Sequence, residues 1–158
     1  MTEPDVALTD YGIALECAIL AWLVRGGEGR RSVLRWATLF FASIGVAALI
    51  GGIVHGFLLH TRPGPAMVLW LATLLAVGVT ALSAWGVGAA SHFAPVAARW
   101  IILAAVLDFL AYAVIVVGII PSFTVAVLNC LAAVLFLLAV LRLAHQRRPE
   151  PPARLEAR

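Results

Sequence analysis

The chain contains no lysine, and of its 158 residues only 12% are charged and two are cysteines. Soluble domains carry roughly 25% charged residues, so this scarcity excludes a water-soluble globular fold. Cys17 and Cys130 lie in separate apolar stretches without Cys-x-x-Cys spacing, which excludes a dithiol redox motif or a zinc ribbon. They read as small packing residues. There is no complete catalytic or cofactor motif, and no internal repeat of the kind secondary transporters carry. The acidic start, with Glu3 and Asp5, lacks the basic region of a cleaved signal peptide. The first apolar run is therefore expected to stay in the mature protein.

What is abundant is hydrophobic sequence, 63% of the chain. It falls into runs at 9–25, 34–59, 66–89, 99–120 and 122–143, each near the roughly 20 residues that cross a hydrocarbon core of about 30 Å as a helix. The expected fold is all-α, a polytopic membrane bundle of five transmembrane helices over residues 9–143. A short acidic extracytoplasmic N-terminus (1–8) precedes it, and a basic, Pro/Arg-rich disordered tail (144–158) follows. Pro63, Pro65, Pro95 and Pro121 fall between runs, and Gly26, Gly27 and Gly29 close the first, as expected where helices stop and turn.

The eleven basic residues, all arginine, outnumber eight acidic ones. They flank the apolar runs and form no stripe along a helix, which argues against nucleic acid as a partner and for the lipid bilayer. Arg25, Arg30, Arg31, Arg35, Arg99, Arg142, Arg147, Arg148, Arg154 and Arg158 share one side of the five-span topology, and only Arg62 is on the other. Positive loops stay in the cytoplasm, so the N-terminus is expected outside and the tail inside. A four-span arrangement with a surface-lying first helix, whose apolar stretch contains Glu16, has the same arginine distribution. Trp22, Trp36, Trp85 and Trp100 are expected near the cytoplasmic interface and Trp70 near the outer one.

Ionisable groups in hydrocarbon are costly and need a partner or water. Glu16, His55 and Asp108 are of this kind; Asn129 is a neutral fourth, and Asp10 and His60 lie near outer helix ends. The helical rise places Glu16 and Asn129 about 10 Å below the outer surface, His55 about 6 Å below it and Asp108 near the midplane. Small residues surround each: Gly12 before Glu16, Gly51 and Gly52 before His55, Ala104, Ala105 and Ala111 about Asp108. Ala48, Gly52 and Gly56 form a small-xxx-small series, so Gly51, Gly52 and Gly56 are candidate packing positions. Thr73, Ala76, Thr80 and Ser83 line one face of the third run.

Two readings follow. In one the polar groups are interhelical glue, Glu16 paired with His55 and Asp108 bonded to Tyr112 or Asn129, with a homo-oligomer favoured by the glycine-rich second helix. In the other, Asp10, Glu16, His55, Asp108, Tyr112 and Asn129 contribute to a pocket opening outward that binds a small ligand or a proton. No cofactor is implied by the first reading. A zinc alternative uses Glu16, His55 and Asp108, with His60, as oxygen and nitrogen ligands of a membrane hydrolase acting on lipid amides or esters. Against it, His55 and His60 are five apart, about 140° round a helix. Haem and nucleophilic catalysis lack suitably paired groups.

At Thr9-Asp10-Tyr11, Glu16 and Gly51-Gly52-Ile53-Val54-His55-Gly56-Phe57 the chain resembles uncharacterised small multi-pass proteins of bacterial inner membranes, a resemblance that implies no activity. Over about a dozen residues around His55 it is also similar to the superfamily of alkaline ceramidases and adiponectin-type receptors. That likeness implies His55 as a zinc ligand. The chain departs from the pattern in lacking the two later spans and their paired histidines.

Overall fold

Proline decides where three helices begin. With no amide hydrogen and φ near −65°, it suits the first helical turn and no later one. In the computed structural model, which describes residues 3–58 and 63–146, α1 runs Pro4–Arg25, α2 Arg31–Ile53, α3 Pro63–His92, α4 Pro95–Gly118 and α5 Phe123–Gln146. No strand occurs among the described residues, and all five helices are long and apolar enough to cross a membrane.

The boundaries shift from the expected ones for identifiable reasons. Pro4 opens α1 five residues before the first apolar run, so most of the expected acidic N-terminal segment is helix. Pro63 and Pro65 lie in the first turn of α3, and Pro95 starts α4; only Pro121 lies between helices. After the helix-weakening pair Gly51-Gly52, α2 continues through one π-helical turn, Val54–Leu58. The expected helix extended to 59, and residue 59, His60, Arg62 and the tail from 147 lie outside the described residues.

Contact between the helices runs through small residues that let backbones approach, the mode of packing open to helices apolar enough to cross a membrane. The longest helix, α3, supplies them: Gly78, Ala81, Ser83, Ala84, Gly86, Gly88, Ala89 and Ala90 are all buried. It touches α2, α4 and α5, whereas α1 packs on α2 and the π-turn, and α4 and α5 scarcely meet.

Neighbouring rings and hydroxyls set the register. Gly86 receives the Trp36 indole, Gly78 the rings of Tyr112 and Phe109, and Gly88 the Phe136 ring. The Tyr112 hydroxyl donates to the Leu74 carbonyl at 2.7 Å, Trp70 Nε1 to Pro121 O at 3.3 Å, and the Cys130 thiol to Val77 O at 3.4 Å. Together these run α3 antiparallel to α2 and α4 and parallel to α5. Two apolar clusters result, Leu74 with Tyr112, Val116 and Ala126, and Ala81 with Ala84 and Ala133. Trp85 stacks on Phe136 with centroids 4.2 Å apart. Trp22 and Trp100 are exposed.

Candidate functional site

The polar residues of the apolar helices do not assemble into one cluster. They divide between the α1–α2 pair and a cleft on the far side of α3.

On α1–α2 the glycine stripe is a seam. A Cβ at Gly52 would lie 2.9 Å from Tyr11 Cε1, one at Gly51 3.2 Å from Asp10 Oδ2, one at Gly56 3.4 Å from Ala7 Cβ, and one at Gly45 3.3 Å from Cys17 Cβ. Hydrogen at these four positions is what lets α1 lie against α2 along its length. The seam ends in a clasp: His55 Nδ1 and Glu3 Oε2 are 2.7 Å apart, the ring N–H donating to the carboxylate, while Glu3 N–H donates to the His55 carbonyl at 3.3 Å. Glu3 was not among the candidate residues, because it precedes the first apolar run. The signal that could have found it is Pro4, which starts the helix beneath it.

The clasp corrects the expected pairing of Glu16 with His55. Glu16 is 13 residues beyond Glu3 on α1, about 20 Å of helical rise away, and its side chain is turned outward and exposed. Asp10 is half-buried against the glycines, within electrostatic reach of His55.

Across the molecule, Asp108 of α4 and Asn129 of α5 line one cleft of about 420 Å3, with Trp85 of α3 as a wall and Ala104, Ala105 and Ala132 providing room. It exists because α4 and α5 each pack on α3 but scarcely on each other. The Asn129 Nδ2 group is buried and has no hydrogen-bond partner among the described residues. Asp108 is exposed toward the cleft mouth. Tyr112 does not bond Asp108: its hydroxyl is committed to Leu74 O and its ring to Gly78.

Between α2 and α3 a third polar contact joins Ser43 and Thr80, their hydroxyl oxygens 2.9 Å apart. Each hydroxyl also faces a carbonyl of its own helix, Phe40 O at 3.0 Å and Ala76 O at 3.1 Å. Two hydroxyl hydrogens thus serve three acceptor contacts. Thr80 belongs to the small and polar face read from the sequence; Ser43 is its missing counterpart.

The zinc ligand set Glu16, His55 and Asp108 is not brought together. Glu16 faces away from α2, His55 is held at the clasp, and α4, which carries Asp108, makes no contact with α1. Among the described residues no group of three or more His, Cys, Asp or Glu is placed to hold a metal ion. His60, the fourth candidate, lies outside them.

Compared with known proteins, residues 6–155 match the model of a family described as a family of unknown function, DUF6962. No curated protein and no solved structure matches the chain.

Proposed function

The chain belongs to the DUF6962 family of unknown function, and we propose that it is a five-span protein of a bacterial inner membrane, N-terminus outside, that holds a small amphipathic molecule in the cleft between α4 and α5. The observation that carries this reading is the Asn129 amide. A buried N–H without a partner costs about 1–3 kcal/mol, and this one sits on the wall of a cleft whose other polar group is Asp108. The pair offers a hydrogen-bond donor and a carboxyl group above apolar walls. A complementary molecule has an apolar body and a polar end carrying an acceptor beside an O–H, as an alcohol does. Asn129 is six residues from the start of α5 and Asp108 ten from the end of α4, about 9 and 15 Å below the outer helix ends. In this orientation the molecule enters laterally from the outer half of the bilayer.

The test uses octanol on detergent-purified protein, read by thermal unfolding. The wild type should be stabilised, and Asp108→Ala and Asn129→Ala should lose the effect. Equal stabilisation of wild type and both variants would remove the cleft from the reading.

A second reading concerns association. Glu16 is exposed beside Leu15 and Ile19, and a Cβ at Gly12 would meet nothing within 4 Å. A lipid-facing carboxyl is costly, so this face of α1 favours a homo-oligomer in which α1 of a second copy covers it. Glu16→Leu should then change the mass of the detergent-solubilised particle.

A further inference from the structure

At the opposite end of the molecule, where α1 turns into α2, the chain builds a basic cleft. Gly29 adopts φ +152°, a conformation that favours glycine, and the reversal brings the end of α1 beside the start of α2. The resulting cavity, of about 1020 Å3, is lined by Arg25 from α1 and by Arg31, Arg35, Leu34, Leu39 and Ala42 from α2, with Glu28 on the loop. Three guanidinium groups against one carboxylate leave a positive excess. Among the described residues none of Arg25, Arg31 and Arg35 is ion-paired or hydrogen-bonded through its side chain. A guanidinium presents five N–H donors in a fork that matches phosphate oxygens.

The cleft is graded along the helix. Arg31, Arg35, Leu39 and Ala42 follow one another at helical spacing and line the same wall, so the surface passes from charged to apolar over 11 residues, about 16 Å. The amide groups of the first turn of α2 add to the charged end, since Arg30 at the N-cap makes no side-chain cap. Trp22, 74% exposed, borders a second hollow that shares Arg25. A site for a free anion needs only the charged end; the apolar continuation matches a chain attached to it.

We infer that this cleft binds a phosphate ester, the phosphate among Arg25, Arg31 and Arg35 and an attached acyl chain along Leu34, Leu39 and Ala42. An anionic phospholipid carries both groups, whereas a soluble phosphate compound shares only the phosphate. The inference shares with the proposed function only the placement of the five helices in a membrane, and concerns the other end of the bundle.

The full chain, purified in detergent and delipidated, is titrated with dioleoylphosphatidylglycerol, with dioleoylphosphatidylcholine and with inorganic pyrophosphate, and bound species are counted by native mass spectrometry. Phosphatidylglycerol should be retained in preference to phosphatidylcholine. The double variant R31Q/R35Q should weaken retention about tenfold or more, the scale of a lost charge-assisted hydrogen bond. R142Q, at the same end of the bundle but outside the cleft, should bind as the wild type does. Binding of the lipid without pyrophosphate supports the inference; binding of pyrophosphate as tightly as the lipid would show that the phosphate alone is read and would overturn the place given to the acyl chain. Retention of neither anion, undiminished binding by R31Q/R35Q, or equal loss in R142Q would overturn the inference. Thermal unfolding of each variant, without added ligand, separates lost binding from lost folding. The octanol test at Asp108 and Asn129 reads independently of all these outcomes.

Discussion

Gly78→Ala tests the central packing device, a ring set on a glycine. A methyl group there would sit 2.5 Å from Tyr112 Cε1, 2.8 Å from Tyr112 Cδ1 and 3.0 Å from Phe109 Cε2. Carbon atoms pack at about 3.5–4.0 Å, so the Tyr112 ring has to retreat by about 1 Å. Its hydroxyl, 2.7 Å from the Leu74 carbonyl, would be drawn out to the limit of a hydrogen bond. Overpacking of this kind costs about 1–3 kcal/mol, and an interhelical hydrogen bond in a membrane protein contributes about 0.6 kcal/mol. Against these stands the helix propensity of alanine over glycine, up to about 1 kcal/mol. Gly12→Ala removes that term by comparison, because the same exchange on α1 meets nothing within 4 Å. Relative to Gly12→Ala, Gly78→Ala should be less stable by about 2–3 kcal/mol. Reversible titration with sodium dodecyl sulfate, followed by circular dichroism, measures the difference. Replacing Tyr112 by Leu in the Gly78→Ala background should recover part of the loss, since the obstructing ring is gone. A difference within about 0.5 kcal/mol, the range of inconsequential substitutions, would refute the packing of α4 on α3 described above.

Other expectations are as direct. In a chain with Cys17 and Cys130 replaced by Ala, Cys at positions 7 and 56 should form a disulfide. The carbon atoms concerned would be 3.4 Å apart, close to the 3.5–4.5 Å of a disulfide, whereas Cys at 16 and 55 should not cross-link; the reverse result would restore the Glu16–His55 pairing. Ser43→Ala and Thr80→Ala should each cost about 0.6 kcal/mol and couple in a double-mutant cycle, and additive losses would deny the 2.9 Å contact. Asn129→Leu should stabilise the ligand-free protein by about 1 kcal/mol by removing an unpaired amide; destabilisation would mean that the amide has a partner. A reporter fused after residue 146 should be active on the cytoplasmic side, as the arginine distribution requires, and activity on the outer side would reverse the topology.

Five helices were legible because their signal is one-dimensional: uninterrupted apolar length and the punctuation of proline and glycine. The glycines of α2 were legible as well, since a small-xxx-small series on a spanning helix has few other uses. The glycines of α3 were missed. Gly88 with Thr80 and Ala84, and Gly86 with Ala90, recur at four-residue spacing, but the rings that fill the places of Gly78, Gly86 and Gly88, those of Tyr112, Trp36 and Phe136, are seen only in the structure. The polar residues were identified as costly but assigned the wrong partners. Glu16 and His55 share a similar sequence-derived depth, yet which face of α1 meets α2 depends on the seam of Ala7, Asp10, Tyr11 and Cys17 against four glycines.

Composition and run length by themselves determined that the chain is helical and apolar enough to cross a membrane five times, because backbone groups in hydrocarbon must be satisfied within each segment. That requirement is local and so is written along the chain. Partnership is not local. The choice of Glu3 over Glu16 for His55, of Leu74 O over Asp108 for Tyr112, and the gap between α4 and α5 that leaves Asn129 facing a cleft all depend on rotations of helices about their axes. Those rotations are set by which small residue lies under which ring, and only the assembled bundle decides them.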